Sequence, residues 1–229
     1  MLPQATHYLL HPVSHDVIER LNSAYLQHVH RANIVGYGRP WRETESAARR
    51  TSVHTFCILK GDVYGYGSLM HARADAPIRQ ALEDAVRQWA RGAAVVEAGS
   101  GDSVLVAHDD AVALAQAARH IIDDVYQTTG QPRLRVALHY GDVHIQAGVG
   151  DEPPMVVGGD AVLCATRVEP HVLPGQIWAT EEFGQQLAQK PSLWRTTAVM
   201  APDGSDRFNV KKVGRVEPDL WVRLYRVEF

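Results

Sequence analysis

The alternation of strand-like and helix-like segments after residue 51 constrains the fold of this chain more than any other feature. Short apolar runs predict buried strands, and longer runs with apolar residues three or four positions apart predict helices. In chain order the pattern is strand, helix, strand, strand, helix, strand. These segments cover residues 52–65 (strand and turn), 68–92 (a helix that Pro77 could interrupt), 93–110 (two strands around a tight turn), 111–130 (helix) and 134–148 (strand).

The pattern continues with smaller elements towards residue 229. A helix is predicted over 158–173, a short strand over 176–180, a short helix over 181–189, and two strands joined by a turn within 206–229. Sheets combined with helices in this way are typical of the α+β class. The order of the first six elements predicts a ferredoxin-like βαββαβ core with extra C-terminal strands and helices.

Residues 1–50 differ from the rest of the chain. A stretch with helical apolar spacing, from Val17 to Ile34, is followed by a polar and basic segment over 36–50. We therefore expect residues 1–50 to form an N-terminal extension with one helix, and residues 51–229 to form the main domain. The extension is expected to pack on the main domain or on a second copy of the chain.

Composition excludes several functional classes. The net charge of −3 argues against a polyanion-binding surface, so we expect no nucleic-acid partner. No apolar run approaches the roughly 20 residues that a membrane-spanning helix requires, so we expect no membrane partner either. Cys57 and Cys164 lie in apolar runs, which is typical of reduced thiols, and the first residues lack a signal-peptide profile. A cytoplasmic location is therefore expected.

Two aspartates stand where predicted strands meet glycine-rich turns. Asp62 lies within KGDVYGYG, residues 60–67, and Asp102 lies within GSGDS, residues 99–103. In a ferredoxin-like core these two strands are neighbours, so we expect the two carboxylates side by side. Hard carboxylate oxygens suit Mg²⁺ or Mn²⁺. Two such ions about 4 Å apart can hold the attacking and leaving oxygens of an in-line phosphoryl displacement.

Five segments, in order, carry a resemblance to a known family. They are DVYGY (62–66), AGSGDSVLV (98–106), LRVALHYGDV (134–143), GDAVLCATRV (159–168) and PGQIW (174–178). With these segments, the chain from about Thr55 to Phe229 resembles the class III nucleotidyl cyclase catalytic domain. The resemblance implies that the predicted α+β core is the fold of this family.

The resemblance also implies a role for each candidate site residue. Asp62 and Asp102 would hold two divalent cations, Mn²⁺ or Mg²⁺, together with the backbone carbonyl of Val63. Arg167 would stabilise the charge on the α-phosphate in the transition state. The reaction would convert a nucleoside triphosphate into a 3′,5′-cyclic nucleotide and pyrophosphate. The family works as a head-to-tail homodimer, in which each shared site takes its aspartates from one chain and its arginine from the other.

The turn after Asp62 is the expected nucleotide-binding segment and comprises Tyr64, Gly65 and Tyr66. Glycine in such a turn lets backbone N–H groups approach phosphates. Tyr64 occupies the variable position of the family's motif, beside the nucleotide. An aromatic side chain there would reduce the pocket, and a smaller pocket favours a pyrimidine over a purine.

Three positions depart from the family's pattern. Ala98 and Val156 stand where purine-specific members carry the lysine and the acidic residue that read adenine, and Leu163 replaces the ribose-orienting asparagine. A site selects a base by hydrogen bonds, so the purine pair is missing here. Together with Tyr64, these departures resemble the bacterial pyrimidine cyclases of the Pycsar anti-phage systems, which make cyclic UMP or cyclic CMP on infection. This resemblance implies UTP as the substrate and cyclic UMP as the product.

Two other functions stay open at the level of sequence. One is an adenylate or guanylate cyclase with unusual base recognition. The other is a catalytically silent cyclase-homology domain used for dimerisation or sensing, which the loss of the asparagine at Leu163 favours. The presence of both aspartates and the arginine favours an active enzyme.

Overall fold

The structure is a computed structural model that describes residues 51–98, 101–131, 133–148, 152–189, 194–210 and 219–229. The predicted N-terminal extension over 1–50, with its helix over 17–34, lies outside the described residues. The boundary at residue 50 therefore stays a prediction. Within the described ranges, no helix is long and apolar enough to cross a membrane.

The strands of the described residues form one large sheet and one small one. They are β1 Thr51–Val63, β2 Val95–Ala98, β3 Ser103–His108, β4 Leu134–Gln146, β5 Met155–Gly158, β6 Ile177–Thr180, β7 Arg195–Val199, β8 Phe208–Asn209, β9 Trp221–Val222 and β10 Leu224–Glu228. The large sheet has the order β2-β3-β1-β4-β6-β10-β7, and β5 pairs with the C-terminal end of β4. Strands β8 and β9 form the separate pair.

The helices of the described residues are α1 Tyr66–His71, α2 Ala76–Trp89, α3 Ala111–Thr129, α4 Asp160–Val168 and α5 Glu181–Ala188, and a 3₁₀ turn, Glu169–His171, follows α4 directly. Helix α3 has strong end signals. The Asp110 carboxylate accepts hydrogen bonds from the N–H groups of Val112 (2.8 Å) and Ala113 (3.2 Å). Gly130 ends the helix in the left-handed conformation with φ 65°.

The predicted ferredoxin-like core is confirmed. Its strands lie in the order β2-β3-β1-β4, and β1 is antiparallel to both β3 and β4. Strand β6 runs parallel to β4 and begins the C-terminal addition. Strand β1 has a continuous apolar run because both of its faces are covered, and Cys57, Ile58 and Leu59 are each at most 1% exposed.

Side chains of β1 alternate between two apolar cores. Leu59 belongs to the core formed with α2 and α3, whereas Ile58 belongs to a smaller core formed with α4. Successive side chains of a strand point to opposite faces. Lys60 and Asp62 therefore lie on the α4 side of the sheet, at the end of β1, and the candidate site is on that side.

Gly61, between these two polar residues, marks a close approach of β1 to β3. A Cβ atom added at Gly61 would lie 2.8 Å from Cγ1 of Val104 and 3.5 Å from Cδ1 of Leu134. A side chain at this position would push the strands apart. Glycine is therefore required for close packing at the point where β1 reaches Asp62.

Two predicted segments differ from the structure in detail. The helix expected over 68–92 is two helices, because residues 72–75 leave the helical path and Arg73 has φ 55°. The break lies near Pro77, as expected, and Pro77 itself lies in the first turn of α2, where a missing N–H costs no hydrogen bond. Where two strands are expected within 206–229, the described residues 206–210 and 219–229 form three short strands, and among these β10 joins the large sheet.

Candidate active site

Two aspartates meet at the adjacent ends of β1 and β3. The register of the sheet places Asp62 between Ser103 of β3 and Arg135 of β4. Asp102 directly precedes β3, and its backbone carbonyl accepts a hydrogen bond of 2.9 Å from the N–H of Val63. The structure thus brings Asp62, Val63 and Asp102 together in one corner of the sheet.

The surroundings of Asp62 disfavour the ionised form of its carboxyl group. Its side chain is 20% exposed, and burial is the main cause that raises the pKa of its carboxyl above the ordinary value. A hydrogen bond from Arg135 opposes this shift, while the negative charge of Asp102 adds to it. A like charge nearby disfavours the ionised form of a carboxyl group, here that of Asp62. A cation bound between them would relieve this repulsion.

Arg135 links Asp62 to a second, more deeply buried carboxyl group. Its Nη2 donates a hydrogen bond of 2.9 Å to Oδ2 of Asp62, and its Nε forms an ion pair with Oε1 of Glu169. Glu169 is 6% exposed. Burial, followed by the charge of Asp62, raises the pKa of Glu169 to about 7, despite the guanidinium beside it.

Arg135 and Glu169 are not among the site residues expected from the sequence. Arg135 stands alone as a charged residue within the apolar strand sequence LRVAL, and Glu169 directly follows α4. A charged residue inside a buried strand requires a partner. That signal marks Arg135, but only the register of β1 against β4 identifies Asp62 as its partner.

Tyr64 lies on the surface beside these groups. Its side chain is 53% exposed, and the guanidinium carbon of Arg135 lies 5.7 Å from the centroid of its ring. This distance allows a cation–π interaction. The backbone N–H of Tyr64 donates a hydrogen bond of 2.8 Å to the carbonyl of Arg133, which fixes the turn to the start of β4.

The neighbouring residues of the turn have different surroundings. Gly65 has φ 75° and stands at the N-cap of α1, a conformation that favours glycine. The Tyr66 side chain is 9% exposed, and its hydroxyl donates a hydrogen bond of 3.2 Å to Oδ2 of Asp75. Its ring also packs against Gly101. Tyr66 therefore presents its backbone, rather than its side chain, to any ligand at this turn.

Arg167 lies in the last turn of α4, two residues before Glu169. Leu163 lies one turn earlier on the same helix and is 46% exposed. Residues four apart on a helix share a face. Leu163 thus presents an apolar side chain next to Arg167. The expected role of Arg167 concerns a second copy of the chain and stays a prediction.

A cavity of about 320 Å³ opens on the α4 side of the sheet, and its lining includes Ser103, the register partner of Asp62. Its two charged lining residues, Lys60 and Glu97, were not predicted as site residues. Glu97 is fixed because its Oε1 accepts a hydrogen bond of 2.7 Å from the N–H of Val156. The cavity is lined by Lys60, Glu97, Ala98, Ser103, Leu105, Val162 and Thr166.

The aspartate pair fits divalent cations by the chemistry of its donor atoms. Carboxylate oxygens are hard ligands, and Mg²⁺ commonly binds one or two carboxylates together with substrate phosphates. Across the described ranges, no group of three or more His, Cys, Asp or Glu side chains is arranged to hold a metal ion. Asp62 and Asp102 are therefore a two-carboxylate donor set that further ligands would complete.

The fold is shared with solved structures of known proteins. Structures of adenylyl and guanylyl cyclases are similar to this chain, so the described domain has the fold of a class III nucleotidyl cyclase catalytic domain. Comparison with protein-family models and with curated protein sequences gives no match.

Three of these structures show the extent of the likeness. The adenylyl cyclase CyaB from P. aeruginosa is 15% identical, with a TM-score of 0.59 over 79% of this chain and 96% of that one. The guanylate cyclase domain of RhGC from Catenaria anguillulae, in complex with GTP, is 19% identical, with a TM-score of 0.57 over 77% and 98%. An adenylate cyclase from Trypanosoma brucei is 17% identical, with a TM-score of 0.55 over 76% and 87%.

Proposed function

We propose that this chain is a metal-dependent nucleotidyl cyclase that converts a nucleoside triphosphate into a 3′,5′-cyclic nucleotide and pyrophosphate. The observation that carries the proposal is the meeting of Asp62 and Asp102 at adjacent strand ends, within a fold shared with adenylyl and guanylyl cyclases. The raised pKa of Asp62, caused by burial and by Asp102, is the electrostatic setting in which a cation is most useful.

In this mechanism, Asp62, Asp102 and the carbonyl of Val63 hold two divalent cations, Mn²⁺ or Mg²⁺. When bound, the cations would supply Lewis-acid activation of the ribose 3′-hydroxyl and would neutralise charge on the triphosphate. The backbone N–H groups of Gly65 and Tyr66 bind phosphate oxygens, since the N–H of Tyr64 already donates to the carbonyl of Arg133. Arg167 of the partner subunit places a fixed positive charge against the α-phosphate, where negative charge grows in the transition state. A head-to-tail homodimer contains two such sites.

We further infer that the substrate is a pyrimidine nucleotide, UTP, and the product cyclic UMP. Ala98 and Val156 provide no polar side chain to read adenine, and Leu163 provides none for the ribose. The ring of Tyr64, which is exposed two residues after Asp62, would narrow the space left for a base. By analogy with pyrimidine cyclases of anti-phage systems, the cyclic nucleotide would act as a second messenger in the cytoplasm of an infected bacterium.

The charged residues of the 320 Å³ cavity offer one donor and one acceptor to a base. The ammonium group of Lys60 can only donate hydrogen bonds, and the Glu97 carboxylate can only accept them. Uracil, with a carbonyl beside an N–H, and cytosine, with a ring nitrogen beside an amino group, each complement this pair, in opposite orientations. The choice of UTP over CTP therefore rests on the resemblance to the pyrimidine cyclases.

The test is turnover of ATP, GTP, CTP and UTP by the purified full chain, with Mn²⁺ and with Mg²⁺, and with products identified by mass spectrometry. We expect cyclic UMP from the wild type and at least an approximately 100-fold loss in Asp62→Asn, which removes cation-binding charge. Asp123→Asn is the matched control. This exposed residue of α3 pairs only with Arg119 among the described residues, so full activity is expected.

Other outcomes separate the alternatives. A cyclic purine as the main product would contradict the pyrimidine substrate but not the reaction. Product formation that survives Asp62→Asn would contradict the assigned metal site. The absence of any cyclic product would favour a silent cyclase-homology domain, the second candidate, which the exposed apolar side chain of Leu163 supports.

A further inference from the structure

We propose that Arg135 and Glu169 are positioning residues for the cation site. The Arg135 guanidinium is an internal counter-ion that holds the Asp62 carboxylate before a divalent cation binds, and Glu169 retains this guanidinium when the cation takes its place. This inference rests on the proposed function only in treating Asp62 as a cation ligand.

The geometry of Arg135 supports this role. Two nitrogens of its guanidinium contact two different carboxyl groups: Nη2 lies 2.9 Å from Oδ2 of Asp62, and Nε pairs with Glu169. A planar guanidinium with five donors can hold two acids at once, which a lysine ammonium does less well. The side chains of Arg135 and Asp62 are 18% and 20% exposed, so water screens their interaction only in part.

Pairing with Arg135 is the role that the surroundings of Glu169 indicate. It is 6% exposed, and Arg135 is its only ion-pair partner within the ranges that the structure describes. Burying a carboxylate costs free energy unless it is paired. A buried acid at this point is explained if Arg135 needs a partner that a cation does not displace.

When a divalent cation binds at Asp62, the charges require Arg135 to lose Asp62 as a partner and to keep Glu169. A divalent cation at Asp62 uses the same carboxylate oxygens that Arg135 now contacts, and it repels the guanidinium. Without Glu169, the positive charge of Arg135 would then be half-buried with no carboxylate beside it. With Glu169 in place, the guanidinium keeps one ion pair, and the Tyr64 ring, 5.7 Å away, holds its face. The chain therefore keeps the guanidinium in place beside the cation site.

Binding of Mn²⁺ alone, without nucleotide, tests this inference directly. Free Mn²⁺ is measured by electron paramagnetic resonance at pH 8 during titration of the wild type, Arg135→Gln, Glu169→Gln and the double variant. Arg135→Gln removes a competing cation and should tighten Mn²⁺ binding roughly fivefold. Glu169→Gln leaves Arg135 with Asp62 as its only acid and should weaken binding by a similar factor.

The double variant separates positioning from a remote charge effect. If Glu169 acts through Arg135, Glu169→Gln should have little further effect once Arg135 is glutamine. Equal weakening in both backgrounds would overturn the inference, because Glu169 would then be only a distant negative charge. Arg119→Gln, which makes the same charge change on the exposed face of α3, should leave Mn²⁺ binding unchanged. Thermal unfolding checks that each variant is folded.

A second readout uses turnover where the wild type is active. Glu169→Gln should raise the Mn²⁺ concentration needed for half-maximal rate several-fold, and kcat at saturating Mn²⁺ should stay within about twofold. A loss of kcat with an unchanged Mn²⁺ requirement would overturn the positioning role. A wild type that binds Mn²⁺ but turns over no nucleotide contradicts the proposed function alone. A wild type that binds no Mn²⁺ contradicts both.

Discussion

Burial outweighs ion pairing at Glu169. An adjacent guanidinium normally lowers the pKa of a carboxyl group, yet the pKa of Glu169 is raised to about 7. Burial is the first cause and the charge of Asp62 the second, and Arg135 compensates for only part of them. A cation on Asp62 would remove the second cause and favour ionised Glu169. The ionisation of Glu169 is therefore coupled to whether a cation is bound at Asp62.

This raised pKa predicts a dependence of stability on pH. An unfolded glutamic acid has the ordinary pKa of 4.5, so the folded chain keeps the proton over a wider range. The free energy of unfolding therefore decreases as pH rises from about 4.5 to about 7. Because Glu169→Gln does not titrate, the wild type should lose roughly 3 kcal/mol relative to this variant across that window.

Urea-induced unfolding of both proteins at several pH values measures this difference, which cancels the titration of other groups. Glu228→Gln, at an exposed position of β10, is the matched control for the loss of one glutamate. A wild-type stability that runs parallel to that of Glu169→Gln between pH 4.5 and 7 would contradict the raised pKa.

At the scale of single residues, the sequence carried only part of the candidate site. Asp62 and Asp102 could be found because each stands in a glycine-rich turn within a recognisable local pattern. Arg135 could not be assigned to Asp62, because the two are 73 positions apart and meet only through the register of β1 and β4. Lys60 lies two residues before Asp62, but only the alternation of β1 shows that both belong to the same side.

At the scale of elements, β1 is the strand on which the site depends. It pairs with β3 on one side and β4 on the other, and the register of each pairing fixes one neighbour of Asp62. The order of the core elements could be predicted because apolar periodicity differs between strands and helices. The division of residues 66–89 into α1 and α2 near Pro77 could be foreseen, whereas the positive φ of Arg73, 55°, could not.

The close contact of β1 with β3 predicts a cost for any side chain at Gly61. Gly61→Ala would place a Cβ atom 2.8 Å from Cγ1 of Val104, so the two strands must shift. We expect the free energy of unfolding to fall by about 1–3 kcal/mol, as is usual for overpacking. Urea-induced unfolding monitored by circular dichroism measures this change.

Gly67→Ala is the matched control for this substitution. Gly67 lies in α1, and an added Cβ atom there meets no other atom within 4 Å. Alanine at a helical position should raise the free energy of unfolding by up to about 1 kcal/mol. An equal loss of stability in both variants would show that the contact with Val104 is not the cause.

At the scale of the whole molecule, the candidate aspartates and the candidate arginine come from different elements of the domain. The aspartates lie at the ends of β1 and β3, and Arg167 lies in the last turn of α4. The resemblance to class III cyclases implies that these segments complete each other across a head-to-tail homodimer. The sequence cannot decide this arrangement, because the contacts that define a dimer are made between two copies of the chain.

Mixing two inactive variants tests the shared site. Asp62→Asn lacks a cation ligand and Arg167→Ala lacks the phosphate contact, so each homodimer should be inactive. In an equal mixture, half of the dimers are mixed, and each mixed dimer has one intact site of two. The rate of cyclic nucleotide formation should therefore recover to about a quarter of the wild-type value.

An excess of either variant should lower this recovered rate. A mixture that stays inactive, although size-exclusion chromatography with light scattering shows dimers that exchange subunits, would place Arg167 and the aspartates of one site in the same chain. Arg119→Gln mixed with Asp62→Asn provides the control, since Arg119 lies on the exposed face of α3.

The pairing of β1 with β4 also limits when the domain can fold during synthesis. Val63 pairs with Leu134, so β1 can complete its pairing only when a strand that lies some 70 residues later has been made. Contacts so distant in sequence form slowly, because a large loop must close first. During synthesis, Asp62 therefore reaches its final setting only after β4 has left the ribosome. A truncated chain that ends before Leu134 would carry both aspartates and still lack the site.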